Sequence, residues 1–179
     1  RALASAGVLD ILPSHYSHLP GLIRSGALPA DVVLVQVSPP DEQGRYSMGQ
    51  VREYITTAVE CARVVIGEVN PDVPWTHGGP YLKAEDFGLL VDAEHPPLEI
   101  LGAEPGPVET AIAGHVAGYI QDGATLEVGI GKMPDAILAA LHDRRDLGLH
   151  SGAVTDGIAA LAEKGVLTHA RKGIDVGMG

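Results

Sequence analysis

The chain has 179 residues, of which 12 are basic (Lys or Arg) and 23 are acidic, and its formal net charge is -11. This balance argues against a broad surface for nucleic acid or for an anionic membrane, because both need a basic field. The sequence has neither an apolar run of about 18 residues nor a basic start followed by a short apolar stretch, so we expect no membrane span and no signal peptide. Cys61 is the single cysteine, which excludes an internal disulfide and indicates a reducing, cytoplasmic environment.

Hydrophobic residues make up 45% of the chain, but aromatic residues only 4%. Such a core is built from Ala, Val, Ile and Leu, as in a parallel sheet covered by helices. Short apolar runs alternate with segments of helical periodicity, which is typical of βαβ units and predicts an α/β fold. The predicted strands are residues 31–37, 63–69, 126–130 and 147–150. The predicted helices are residues 50–62, 108–120, 134–141 and 157–164.

Helix and domain boundaries have their own signals. Ser47 with Gln50 has the spacing of a capping box before the first of these helices, and Gly165 is expected to end the last one. Residues 95–107 are rich in proline and lack a sustained periodicity, which favours a domain boundary. We place it near Glu104, so that the predicted domains are residues 1–104 and 105–179. The chain begins without methionine and ends within a glycine-rich stretch, so we expect it to be part of a longer protein.

The strongest local pattern is a strand that runs into Gly129-Ile130-Gly131 and then into a helix near Pro134. Glycines let a ligand approach the backbone, and a helix start directs N–H groups at an anion or a developing oxyanion. A tight turn without a ligand would have the same pattern. A dinucleotide fingerprint fits poorly because Pro134 stands at its third glycine, and a P-loop fits poorly because no Ser or Thr follows Lys132.

The second pattern, residues 150–157, leaves a predicted strand by a turn. The carboxyl ends of parallel strands form the ligand crevice of an open sheet, so this turn and the glycine turn are expected to face one pocket. His150 and Ser151 point to opposite faces of an extended segment, so we do not expect a Ser–His dyad. Asp156 is expected to be the N-cap of the following helix rather than a catalytic acid.

Two loops of the first half, residues 37–49 and 68–79, follow predicted strands. Their prolines and glycines suit a pocket rim and equally suit plain connections. His77 in the second loop is a candidate ligand contact. His15 and His18 have no cysteine or acidic cluster beside them, so no metal site is expected.

Four segments in order, VSPPDEQGRYSMG, EVNPDVPWTHG, LEVGIGKMPDAIL and LGLHSGAVTDG, resemble the acetyl-CoA hydrolase/transferase family, which includes class I coenzyme A transferases of 4-hydroxybutyrate and acetate. The resemblance covers nearly the whole chain. It implies two open parallel-sheet lobes, each incomplete here, with the end of the first lobe in residues 1–104 and the start of the second in residues 105–179. It also implies an acyl-CoA and a small carboxylic acid as substrates, no permanently bound cofactor, and a homo-oligomer or a partner subunit.

The resemblance further implies covalent catalysis, in which a glutamate attacks the acyl-CoA, forms an acyl-glutamyl anhydride and becomes a glutamyl-CoA thioester. The position of that glutamate falls on Gly152, which has no side chain. The loop beside the thioester falls on the glycine turn. The candidate substrate and CoA contacts are Gly129, Ile130, Gly131, Ser151 and His77.

Gly152 leaves three interpretations open. The protein is an acyl-CoA enzyme of altered chemistry, either a thioester hydrolase or a transferase without an enzyme anhydride, or it is a non-catalytic CoA-binding or assembly subunit. In the third interpretation, Gly152 is an engineered or sequencing difference in an ordinary transferase. Glu127, where the family pattern favours glutamine, is a candidate substitute carboxylate or general base, although a solvated strand residue would have the same sequence.

Overall fold

The computed structural model describes residues 2–99, 102 and 104–178. Its contacts divide the chain into two compact units, Arg1–Glu99 and Ile100–Gly179. Each unit has its own hydrophobic core. The assignment of residues 1–104 and 105–179 to two lobes stays a prediction. Among the described residues, no helix combines the length and the hydropathy that crossing a membrane requires.

The first unit is built on a three-stranded parallel sheet of order β1-β3-β5, with a separate antiparallel pair β2-β4. Alternate residues Val33, Val35 and Val37 of β1 are buried in one core with residues of α2 and α3. The elements of this unit are α1 (Ala2–Ser5), α2 (Leu19–Arg24), β1 (Val32–Val37), β2 (Arg45–Tyr46), α3 (Glu53–Cys61), β3 (Val64–Val69), β4 (Leu82–Lys83) and β5 (Leu89–Asp92), with short 3-10 turns at Tyr16–His18 and Ala84–Asp86.

The capping box predicted at Ser47 is wrong. Helix α3 begins at Glu53, and the residue before it, Arg52, is its N-cap. Ser47 is fully buried, and its hydroxyl accepts hydrogen bonds from the backbone N–H groups of Gly49 and Thr76. Ser47 and Gln50 have the spacing of a capping box, but the Ser47 hydroxyl instead bonds Thr76, which lies 29 residues further along the chain.

The second unit contains the parallel pair β6-β7, in which Thr125 pairs with Gly148 and Leu126 with Leu149. Leu149 is buried in the core of this unit with residues of three helices. The elements are α4 (Pro107–Ala117), β6 (Thr125–Leu126), α5 (Lys132–Ala139), β7 (Gly148–Leu149) and α6 (Asp156–Glu163). Helices and parallel sheets in both units confirm the α/β prediction.

Two predicted details of the second unit change. The strand predicted at residues 126–130 stops at Leu126, because the backbone beyond it no longer pairs with β7. The N-cap of α6 is Thr155, and Asp156 is the first helical residue. Gly165 does follow the end of α6, with a φ of +70° and its N–H donated to the carbonyl of Ala162.

Candidate functional site

Two loops leave the carboxyl ends of β6 and β7 side by side, because these strands are parallel neighbours. The last backbone hydrogen bond between them runs from the N–H of His150 to the carbonyl of Leu126, at 2.8 Å. Residues 127–131 and 150–155 follow, and we call these two loops together the glycine edge. Four of the predicted contacts lie here: Gly129, Ile130, Gly131 and Ser151.

Ser151 joins the two loops of the glycine edge. Its hydroxyl donates a hydrogen bond to the carbonyl of Val128 at 2.8 Å and accepts one from the N–H of the same residue at 3.3 Å. It also lies 3.4 Å from the N–H of Ala153. The Ser151 side chain therefore bonds backbone groups on both sides of the edge.

Helix α5 begins at the glycine edge. Gly131 is its N-cap, with φ +121° and ψ 177°, a backbone conformation that residues with a Cβ rarely adopt. The N–H of Asp135 donates to the Gly131 carbonyl at 3.1 Å, which closes the first helical turn. The N–H groups of Lys132 and Met133 precede that bond and have no acceptor within the helix, as is general for a first turn. The partial positive charge of the helix start is therefore directed at this edge.

Gly152 is exposed and has open space around it. Apart from Gly152 and its two chain neighbours, no described residue has an atom within 4 Å of the place where a Cβ would stand, and its φ lies outside the left-handed region. A side chain at this position would therefore meet no steric barrier in its first atom. Ile130 on the neighbouring loop is also solvent-exposed, at 77% of its surface.

Glu127 is exposed, between Leu126 and Val128, which both pack against the core of the second unit. Since both neighbours pack against the core and Glu127 is exposed, Glu127 points away from that core. Its carboxylate is therefore solvated. The role of Glu127 as a substitute carboxylate stays a prediction.

Residues that follow α6 contact β7, and sequence reasoning missed them. The N–H of Leu149 donates to Nδ1 of His169 at 3.2 Å. Burial first, and the neighbouring Lys172 second, lower the pKa of His169 below its ordinary value of 6.5. Lys172 is itself buried, and its ammonium donates to the Met178 carbonyl at 2.6 Å. No local motif marks the contact of His169 with Leu149, because it joins positions 20 residues apart through a single side chain.

Buried polar groups join the loops at the corresponding edge of the first unit. Besides its two backbone partners, the Ser47 hydroxyl lies 3.1 Å from that of Thr76. Ser38 is buried after β1, and its hydroxyl accepts from the N–H of Ser47 at 3.0 Å. Asn70 is buried after β3 and donates to the carbonyl of His95 at 3.0 Å. These bonds tie the loops that follow β1 and β3 to each other and to the end of the unit.

His77 follows this network directly and is exposed. It belongs to the first unit, and its assignment as a CoA contact stays a prediction. Within the part of the chain that the structure describes, no group of three or more His, Cys, Asp or Glu side chains is placed to hold a metal ion.

Comparison with known sequences identifies relatives. Residues 1–84 match the family model of the acetyl-CoA hydrolase/transferase N-terminal domain. The chain is 39% identical over 177 residues to 4-hydroxybutyrate coenzyme A transferase of Clostridium kluyveri. The matched region covers 99% of this chain and 41% of that protein. It is 35% identical over 169 residues to butyryl-CoA:acetate CoA-transferase of Anaerostipes caccae, which covers 91% of this chain and 38% of that protein. The chain thus spans about two fifths of the length of these relatives.

Solved structures are similar over the same extent. The 4-hydroxybutyrate CoA-transferase of Porphyromonas gingivalis superposes with a TM-score of 0.84 at 34% identity, over 98% of this chain and 45% of that one. RipA from Yersinia pestis superposes with a TM-score of 0.90 at 29% identity, over 99% of this chain and 42% of that one. Both agree with the arrangement of helices and parallel strands described above.

Proposed function

Because this chain belongs to the acetyl-CoA hydrolase/transferase family, we propose that its protein binds acyl-CoA thioesters and either transfers CoA to a small carboxylic acid or hydrolyses the thioester. The names of the relatives support both substrate classes, since one is a butyryl-CoA:acetate CoA-transferase. The observation that carries the proposal is the glycine edge, where two exposed glycine loops meet beside the start of α5. A homo-oligomer or a partner subunit is part of the same proposal.

The glycine edge supplies the hydrogen-bond donors that polarise the thioester carbonyl in this reaction. In our proposal, the thioester carbonyl lies against the turn Gly129-Ile130-Gly131, where it accepts hydrogen bonds from the free N–H groups of Lys132 and Met133. Such donors stabilise the charge that develops on the carbonyl oxygen when a nucleophile attacks. Pro134 has no N–H to add, so the donors are confined to the first two helical residues.

Gly152 alters the nucleophilic half. The family resemblance implies a glutamate at this position, and glycine offers no carboxylate for an anhydride or an enzyme thioester. The open space and ordinary φ at Gly152 support a backbone that still accommodates a glutamate. We therefore propose that water attacks the thioester and releases CoA and the free acid, or that the acceptor carboxylate attacks it and forms a mixed anhydride and the CoA thiolate. In the second case, the thiolate then attacks the acceptor carbonyl of the anhydride, which gives the new thioester and releases the first acid. Both routes should be slower than that of a covalent transferase.

Glu127 is the substitute base that we propose for this altered reaction. Its exposure leaves the carboxylate free to take a proton from an attacking water molecule. A Glu127→Gln variant should then lose the residual hydrolysis and keep its affinity for acetyl-CoA. Hydrolysis that persists unchanged in this variant would remove Glu127 from the mechanism.

His77 is proposed as a CoA contact. A His77→Ala variant should then have a higher dissociation constant for acetyl-CoA.

The absent nucleophile also favours a second candidate function, a non-catalytic CoA-binding or assembly subunit. The two candidates share CoA binding and differ in turnover. Incubating the full-length protein with acetyl-CoA, with and without a carboxylic acid, while following free thiol and new thioester separates them. Exchange that depends on the acid indicates a transferase, release of CoA without the acid indicates a hydrolase, and binding with neither indicates the subunit. A protein that does not bind acetyl-CoA at all would contradict both.

A further inference from the structure

The two loops of the glycine edge are joined by a side chain where a backbone bond would be expected. The β6-β7 ladder has two residue pairs, and its last rung is the bond from His150 to Leu126. Beyond this rung, the described residues form no backbone-to-backbone hydrogen bond between the two loops. The Ser151 hydroxyl instead bonds both the N–H and the carbonyl of Val128.

This side-chain rung stands immediately before the glycine turn. Gly129 and Gly131 have no side chains with which to anchor themselves, and Ile130 is largely exposed. Val128 is therefore the last point at which the first loop is held to the second. Removal of the hydroxyl would leave both backbone groups of Val128 without this partner, so the turn would be free to shift relative to Gly152.

The hydroxyl has little capacity left for a ligand. Its single hydrogen is donated to the Val128 carbonyl, and its oxygen already faces the N–H groups of Val128 and Ala153. A direct role in CoA recognition would require these bonds to break. The geometry thus favours an indirect role.

We infer that Ser151 is a positioning residue, which holds the turn at residues 129–131 at a fixed spacing from Gly152 and thereby keeps the N–H groups of Lys132 and Met133 in place to bind the acyl carbonyl. This inference rests on the proposed function, because the acyl-CoA is the ligand that needs the spacing. Loss of one or two hydrogen bonds between that carbonyl and these N–H groups would weaken binding by about tenfold.

The test compares three variants of the full-length protein. Ser151→Ala removes the rung, and Ser151→Thr keeps the hydroxyl. Thr168→Ala is the matched control, since it removes a loop hydroxyl of the same unit that bonds Asp146 and the N–H of Ala170, away from the glycine edge. Hydrogen exchange at the Val128 amide, followed by NMR, measures whether the hydrogen bonds to Ser151 persist. Equilibrium dialysis with labelled acetyl-CoA measures the dissociation constant.

We expect Ser151→Ala to lower the exchange protection of Val128 about tenfold, the usual effect of losing one or two hydrogen bonds. The dissociation constant for acetyl-CoA should rise about tenfold as well, Ser151→Thr should restore both values, and Thr168→Ala should change neither. Unchanged exchange protection of the Val128 amide in Ser151→Ala would show that the Ser151 hydroxyl does not hold this amide. Lost protection with an unchanged dissociation constant for acetyl-CoA would contradict the positioning role. If the unsubstituted protein binds no acetyl-CoA, the proposed function and the positioning role both fail, while exchange at Val128 still reports on the rung.

Discussion

The loops that follow the parallel strands differ between the two units. In the first unit, hydrogen bonds of the Ser38, Ser47 and Thr76 hydroxyls join the loops after β1 and β3, and both serines are buried. In the second unit, exposed glycines stand after β6 and β7, and one serine hydroxyl joins the loops. Parallel strands thus carry one edge whose loops are tied by buried hydrogen bonds, which we call the closed edge, and one exposed edge, the open edge. The comparison teaches that the exposure of the strand ends here depends on the loop side chains and not on the topology of the sheet.

The largest expected effect comes from restoring a nucleophile at the open edge. Gly152→Glu should raise acid-dependent CoA transfer by about a thousandfold or more, since loss of a covalent nucleophile elsewhere costs about a millionfold in kcat. The measurement is the formation of a new thioester from acetyl-CoA and a carboxylic acid. Gly152→Gln has nearly the same shape without the nucleophilic oxygen, and it should show no gain. A Glu variant that binds CoA without any gain would show that the open edge lacks more than this residue.

The closed edge should be the more sensitive one to loss of a hydroxyl. Ser47→Ala leaves the buried N–H groups of Gly49 and Thr76 without an acceptor, which should lower the free energy of unfolding by about 2 to 4 kcal/mol. Trp75 is the single tryptophan and lies in the first unit, so urea unfolding followed by its fluorescence reports this change. The exposed Ser14→Ala serves as the control. Equal stability of the two variants would argue that the network does not hold the edge closed.

A pair of glycine substitutions sharpens the description of the open edge. Gly131→Ala forces a Cβ into a φ of +121° and should lower the free energy of unfolding by about 1 to 3 kcal/mol. Gly129→Ala has an ordinary φ and open space, so the cost should stay below about 0.5 kcal/mol. Thermal unfolding followed by circular dichroism measures both. Similar losses at the two positions would contradict the strained N-cap.

The smallest effect should appear in the pH dependence of the free energy of unfolding of the second unit. His169 has a lowered pKa in the folded chain, so below pH 6.5 the unfolded chain binds a proton that the folded chain does not. The free energy of unfolding should therefore be highest above pH 6.5. It should fall as the pH drops from 6.5 toward the lowered pKa of His169. His169→Asn keeps an acceptor for the N–H of Leu149 and tolerates the φ of +59° at this position, but it does not titrate. Urea unfolding between pH 8 and 5 should show a weaker slope for this variant, and an unchanged slope would assign the dependence to other groups.

How far the sequence predicts the fold depends on whether a strand lies in an apolar run. Strands β1 and β3 are six residues long and rich in valine, and their predicted bounds differ from the observed ones by one residue. Strands β2 and β4 pair one apolar with one charged or polar residue and were missed, whereas the equally short β7 lies in the predicted run of residues 147–150. Residues 127–130 were predicted to continue β6, because Val128 and Ile130 extend the apolar pattern after pairing has ended.

The candidate site was predictable where glycine itself carries the signal. The turn at residues 129–131 and the loop of Gly152 were recognised from the sequence, and the structure brings both loops to one edge. The bond between Ser151 and Val128 was not predictable, because it joins backbone and side chain across 23 residues. The contact of His169 with Leu149 has the same origin. Neither bond is marked by the residues around it in the chain.

The bond from Ser151 has one further consequence. Its hydroxyl reaches only main-chain atoms of the opposite loop, so the anchor does not depend on which side chains that loop carries. The exposed Ile130 is thus free to differ in size and polarity while the loop keeps its starting point, whereas the φ of +121° holds position 131 to glycine. Substitutions at position 130 would then change the surface of the glycine edge without a matching change in the loop that holds it.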